Sequence, residues 1–334
     1  MPTLKPLRHK PHMKISTATA SIFLMPLRLS TPVIVSFCLL ITGAICHSDQ
    51  YEYPAQFAPE HSVDHAAPIT KKAPAKLAII IDDLGNSLRS GLDAIALPGP
   101  VSFAVMPHRK HSQTLAERAG RLGKDVLLHA PMSTQNGRKL GPGALKQELG
   151  EKAFKDKLHF ALHSIPYIKG MNNHMGSLLT TQQNAMTWVM QVLEQEQLFF
   201  VDSRTHAQSV AFISAQQHGL KSAQRDVFLD NETDLDHIHQ QFKKALAIAQ
   251  QYGSAIIIGH PYKESLYYLK HVLPQLKQSQ VKLHSISDLL TAGVSPRSHG
   301  ARASAPAHAP NLDQLLQQLT TKKPLSAEPT KPVY

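Results

Sequence analysis

Leu77-Ala78-Ile79-Ile80-Ile81-Asp82-Asp83-Leu84-Gly85 is a short apolar, β-prone run that ends in two adjacent carboxylates. A strand buried on both faces of a parallel sheet reads as such an unbroken apolar run. Ligands of parallel α/β folds bind beyond the carboxyl ends of the strands. Two acids placed there, followed by a glycine, have the make-up of a metal ligand beside a general base. The structural alternative is that one Asp caps a helix beginning near Ser87 and the other is solvated.

The arrangement recurs down the chain. Strand candidates fall at 77–81, 101–106, 125–129, 168–171, 198–201, 226–229, 255–259 and 281–284. Helix-like stretches lie near 87–96, 111–122, 150–163, 182–195, 206–218, 235–251 and 263–276. This alternation predicts a parallel sheet with right-handed crossovers. The fold class is therefore α/β, a closed or partly open (β/α) barrel of about seven parallel strands. A doubly wound sheet is the alternative, but no Gly-rich phosphate loop follows any strand and no Walker lysine is present.

Successive strand ends deliver His108, then His129, then Asn172-Asn173-His174. Asp202-Ser203-Arg204, Asp230-Asn231 and Gly259-His260 follow. A barrel gains no stability by gathering ionisable groups on one rim. Catalytic residues drawn from several strand ends are the expected pattern of a barrel enzyme.

The flanks differ from this middle. Residues 1–46 begin with Lys5, Arg8, Lys10, Lys14 and Arg28 and continue into the uncharged apolar segment Pro32–Cys46. That is the layout of a secretory signal peptide, cleaved or retained as a membrane anchor. Export to the periplasm or cell envelope follows as the expectation. Residues 47–75, rich in Pro, Ala and His, read as a flexible linker, and 293–334 as a disordered tail. The tail holds one short amphipathic patch, 312–319, read as one transient helix. The folded domain is then 76–292.

Both cysteines, Cys38 and Cys46, precede that domain, which therefore has neither disulfide nor catalytic thiol. The net charge of +11 lies largely in the flanks, since residues 76–295 carry 23 Lys/Arg against 18 Asp/Glu. No basic cluster or aromatic–basic motif of a nucleic-acid module appears there, and nucleic acid is not an expected partner.

Four stretches carry a resemblance: 78–85, Gly170-Met171-Asn172-Asn173-His174-Met175-Gly176-Ser177, Phe200-Val201-Asp202-Ser203-Arg204-Thr205 and Ile258-Gly259-His260-Pro261. In their order and spacing the chain resembles the divergent polysaccharide deacetylase family, distant relatives of the NodB-type carbohydrate esterases, from 76 to about 290. The resemblance implies a deformed NodB-like barrel and a divalent metal, usually zinc, serving an amide hydrolase. It casts Asp82 as general base, Asp83 and His129 as metal ligands and His260 as general acid. Asp202 and Arg204 fall where relatives place charges that orient base and acid. Relatives take a second histidine ligand from the loop that carries His129, four or five residues on. Here Ser133 and Thr134 stand at those positions. His174 is the candidate replacement, and Asn172-Asn173-His174 takes the place of an absent Arg-Pro-Pro motif. Asn173 and His108 are candidate substrate contacts. The implied substrate is an N-acetylated envelope or peptidoglycan-type polysaccharide. The missing motifs keep open a second reading, a catalytically impaired barrel that binds glycan or protein.

Overall fold

The computed structural model describes residues 73–292 and 312–322. The signal or anchor expected over 1–46 lies outside these residues, as does the linker apart from its last three. Among the described residues no helix is long and apolar enough to cross a membrane.

Nine parallel strands make one sheet: β1 (Ala75–Leu84), β2 (Ser102–Val105), β3 (Val126–Met132), β4 (Ile168–Met175), β5 (Phe199–Asp202), β6 (Ser222–Gln224), β7 (Val227–Phe228), β8 (Ser254–Gly259) and β9 (Val281–His284). Eight of them coincide with the strand candidates. The exception, β6, is Ser-Ala-Gln and shows no apolar run. Helices α1 (Leu88–Ile95), α2 (Ser112–Arg121), α3 (Glu151–His163), α4 (Gln183–Gln195), α5 (Ala211–Gln217), α6 (Leu235–Tyr252) and α7 (Lys263–Val272) form the crossovers. A short α8 (Ile286–Thr291) follows β9.

The strand order is β6-β5-β4-β3-β2-β1-β8-β7. β9 also pairs with β1, along Ala75–Ala78, while β2 takes Ile80–Leu84. The two end strands of this order, β6 and β7, are consecutive in sequence, separated only by Arg225 and Asp226. These two residues clasp the edges together. Arg225 N–H donates to the Asp202 carbonyl of β5, and Asp226 N–H to the Ile256 carbonyl of β8. The Asp226 carboxylate accepts the Ile256 N–H in return, at 2.8 Å. Arg225 and Asp226 therefore bridge the two edges of the curled sheet.

Side chains alternate across the strands with period two. Leu77, Ile79 and Ile81 pack against the helices, and Ala78 and Ile80 face the barrel interior with Leu127, Val201, Ile256 and Ile258. Ile286 and Leu289 of α8 join that interior cluster and close the amino-terminal end of the barrel. There the buried Asp125 carboxylate accepts hydrogen bonds from Lys169 Nζ (2.8 Å), Ser287 N–H (2.8 Å) and Ser287 Oγ (3.0 Å).

The tail expected to be disordered contains a packed helix, α9 (Leu312–Lys322). Leu312 and Leu319 are buried against α6 and α7, and Asp313 accepts hydrogen bonds from the buried His239 (2.9 Å) and from Lys243 (2.9 Å). The amphipathic patch finds an apolar face to cover, which composition does not reveal.

Candidate metal centre

The barrel interior changes from apolar to polar in one step of the two-residue repeat. Asp82 follows Ile80, His129 follows Leu127, Asn172 follows Gly170, Ser203 follows Val201 and His260 follows Ile258. The β3–β4 register sets His129 opposite Asn172 and Pro131 opposite His174. The β1–β8 register ends at Ile81 opposite Gly259, which brings His260 level with Asp82.

Asp83 is out of phase with this layer and is turned into it by its backbone. Its φ is +61°, in the left-handed region, and the β1–β2 register shifts between Ile81 and Leu84. Asp tolerates that conformation better than most residues with a Cβ. Its Oδ1 stands 2.9 Å from His174 Nδ1 and 3.2 Å from His129 Nε2, and those two nitrogens are 3.1 Å apart. Three donor atoms thus converge on one point. Zinc–ligand bonds of about 2.0–2.1 Å in a tetrahedron place ligand atoms roughly 3.3 Å apart. Asp83 Oδ1 is buried without a well-aligned hydrogen bond. The donor set and this orphaned oxygen fit a divalent metal. Burial pushes the Asp83 carboxyl up, but the neighbouring His129 and His174 imidazoles outweigh it and hold it well below the usual carboxylate range.

Asn172, completely buried, organises the layer. Its Nδ2 donates to Asp82 Oδ1 (2.8 Å) and lies 3.3 Å from Ser203 Oγ; its Oδ1 is 2.8 Å from His129 Nδ1. A carboxylate only accepts, so the amide must present N–H to Asp82 and oxygen to His129. His129 then donates from Nδ1 to Asn172 and directs Nε2 at Asp83 and His174; burial opposes a charge on its ring, but Asp82 and Asp83 outweigh it and raise its pKa. Buried beside this pair, Asp82 is desolvated, which raises its pKa against the pull of His129 and His260.

On the other side of Asp83, His260 Nε2 lies 3.9 Å from its Oδ2. The buried Asp230 holds His260 twice, accepting its backbone N–H (2.7 Å) and pairing with Nδ1 (2.9 Å). Ser265 Oγ donates to the same carboxylate at 2.6 Å. Burial opposes a charge on His260, yet Asp230, with Asp83 and Asp82 beyond, lifts its pKa to about 9.

The structure thus brings Asp82, Asp83, His129, His174 and His260 together. It places the other sequence candidates elsewhere. Asp202 is out of phase and turns back on its own loop, accepting Arg204 N–H (2.8 Å) and Ser209 Oγ–H (2.7 Å). Arg204 reaches Gln224 at 3.2 Å. The carboxylate that orients His260 is Asp230, in place of the expected Asp202. Asn173 is likewise out of phase. Its Oδ1 accepts Ser203 N–H and its Nδ2 donates to the Met175 carbonyl, so its amide secures the strand-end loops and is not presented to a substrate. His108 stands outside the cluster, its ring stacked on Phe160 at 4.6 Å. Asn172 and Asp230, missed as site residues, share the interior phase of their strands, and that phase is the signal that finds them.

A family model described as divergent polysaccharide deacetylase matches residues 79–290. The chain belongs to the divergent polysaccharide deacetylase family. An Escherichia coli K12 relative, the uncharacterized protein YibQ, is 33% identical over 259 residues, 78% of this chain and 79% of that one. An uncharacterized protein of Haemophilus influenzae is 35% identical over 206 residues, 62% of this chain and 74% of that one. Among solved structures, an uncharacterized Agrobacterium tumefaciens C58 protein superposes with a TM-score of 0.63 at 25% identity, covering 66% of this chain and 92% of that one. The fold is the NodB-like deacetylase barrel, with nine strands where about seven were expected. In this family member the loop positions four and five residues after His129 are Ser133, whose Oγ lies 3.4 Å from the Leu145 carbonyl, and Thr134, whose Oγ1 accepts the Arg138 N–H at 2.9 Å. The nitrogen that completes the cluster comes from His174, one strand over.

Proposed function

We propose that this divergent polysaccharide deacetylase is a metal-dependent amide hydrolase of the cell envelope that removes acetyl groups from an N-acetylated polysaccharide. The observation that carries this reading is the convergence of Asp83 Oδ1, His129 Nε2 and His174 Nδ1 between a buried carboxylate and a carboxylate-paired histidine. Those three atoms would hold the metal, zinc by its donor set. Such an ion supplies Lewis acidity, bringing the acidity of water into the neutral range.

The remaining work falls to side chains. Asp82 takes the proton of the attacking water at Oδ2, which stands 3.6 Å from His129 Nε2, while Asn172 occupies Oδ1. His260 Nε2 gives a proton to the departing amine, and the ring is charged at neutral pH because Asp230 raises its pKa to about 9. Water and acetamide become acetate and the protonated amine, and passage of the proton taken by Asp82 to His260 restores both residues.

The test is metal content by elemental analysis, which separates zinc from iron at a two-histidine, one-carboxylate site, together with acetate release from N-acetylated oligosaccharides. Expected are about one metal per chain, lost in Asp83→Ala/His174→Ala, and metal-dependent acetate release. A folded wild-type protein that takes up no supplied metal and releases no acetate would overturn the proposal in favour of a glycan-binding barrel.

A further inference from the structure

We propose that His159, His163 and Glu196 hold a second divalent transition-metal ion, on the outer face of the barrel, where it staples the carboxyl ends of α3 and α4 together. The two histidines stand four residues apart on α3 and so project from one face of the helix. Glu196 is the residue that caps the carboxyl end of α4. α3 leads into β4 and α4 into β5. These helix ends therefore lie by the amino ends of their strands, away from Asp83 and its partners.

Three donor atoms converge there, one from each side chain. Glu196 Oε1 lies 3.0 Å from His159 Nδ1 and 3.7 Å from His163 Nε2. The two imidazole rings are nearly parallel, with 13° between their planes and centroids 6.1 Å apart. A hydrogen bond accounts for the first separation but not for the second, which exceeds its range. Ligand atoms around tetrahedral zinc stand roughly 3.3 Å apart, and the two separations straddle that value.

The local charge favours a cation independently of this geometry. The carboxyl end of a helix carries partial negative charge and is stabilised by positive side chains. α4 ends instead on Glu194 and Glu196, with no basic residue in its last turn. The end of α3, with His163, lies beside it. Two negative helix ends and a carboxylate meet, and a divalent ion offsets all three.

Among the described residues one other outlying group has the donors for a metal, Glu232, Asp234 and His237. Its atoms are already engaged. Asp234 caps α6 by accepting the His237 N–H, and His237 Nε2 lies 3.0 Å from Asn231 Oδ1. Two imidazoles and one carboxylate suit zinc or copper rather than magnesium or calcium. His163 is largely exposed, while the Asp83 centre is buried. The outer site is therefore the weaker and fills when zinc is supplied beyond the first equivalent. It is independent of the hydrolysis proposed above.

The experiment is calorimetric titration of the full chain with zinc, and with magnesium for comparison. The expected result is a second, weaker zinc equivalent and no magnesium binding at this site. That equivalent should persist in Asp83→Ala/His174→Ala and weaken at least about tenfold in His163→Ala and in Glu196→Gln. Hydrogen exchange in the last turns of α3 and α4 should slow as it binds. Absence of a second equivalent from the wild type overturns the proposal. So does a second equivalent that either single variant keeps, or one that His237→Ala removes instead. Exchange that does not change on binding overturns the staple. A second equivalent bound by a wild-type chain whose Asp83 centre takes up no metal supports the staple while the hydrolytic reading fails.

Discussion

The two ends of the barrel hold polar groups of the same kinds and use them differently. At the amino-terminal end Asp125 accepts three hydrogen bonds, from Lys169 and Ser287, and α8 plugs the bore with Ile286 and Leu289. At the carboxyl-terminal end Asp82, Asp83, His129, His174 and His260 crowd together, and Asp83 keeps a buried oxygen without a well-aligned partner. Of the six non-glycine residues with positive φ among the described residues, Asp83, His108, Met175 and Arg204 lie at or just beyond the carboxyl ends of β1, β2, β4 and β5, and Tyr167 and Gln197 precede β4 and β5. Strained backbone of this sort gathers at functional sites. One end satisfies its polar groups within the fold, and the other leaves them aimed at something the chain does not itself provide.

Substitutions at the two ends should therefore separate activity from stability. The largest effect is expected from Asp82→Asn, which should lower acetate release about 10²–10⁴-fold with metal retained. Because burial raises the Asp82 pKa, its charge opposes folding at neutral pH, and the same variant should melt at a higher temperature. Unchanged turnover would remove Asp82 from the chemistry.

His260 predicts a pH dependence of stability. Its folded pKa of about 9 exceeds its ordinary 6.5, so the contribution is fully present below pH 6.5 and is lost as pH rises through 9. In the metal-free protein that loss is on the order of 3 kcal/mol. Urea unfolding at pH 6 and pH 10 should register it, and Asp230→Ala should flatten the difference.

At the opposite end, Asp125→Ala strips three donors of their acceptor and should destabilise by about 3 kcal/mol. Metal content and acetate release per folded molecule should not change, and a loss of either would break the contrast between the ends.

Asn172→Ala should weaken metal binding about 10–100-fold, because it frees the tautomer of His129 that the amide dictates. Chelator competition measures this. The smallest effect is expected from Asp313→Ala, which leaves the buried His239 short of a partner at a cost of about 1 kcal/mol. Hydrogen exchange in α9 should then accelerate while the metal centre stays as it is.

The barrel and the five clustered residues were legible because buried strands write themselves as apolar runs and their ends as polar punctuation. β6 was not, because three residues at a sheet edge carry no pattern. Asp202 and Asn173 misled because residue type at a strand end gives no direction. Counting in twos from Ile80, Leu127, Val201 and Ile258 separates those that face the bore from those that face away. Asp83 defeats even that count, since a left-handed residue reverses its own side chain. The packing of α9 lay beyond reach for another reason, as it depends on a surface assembled by α6 and α7.

The position of β1 has a consequence for how the protein is made. Its neighbours are β2, β8 and β9, and the last two begin at residues 254 and 281. The first of the described strands to leave the ribosome must wait for nearly the whole domain before its main partner exists. Pairing so distant closes a long loop and folds slowly. Until Ser254–Gly259 has been synthesised, Leu77–Ile81 is an exposed adhesive edge, and a chain halted before that point has no way to shield it.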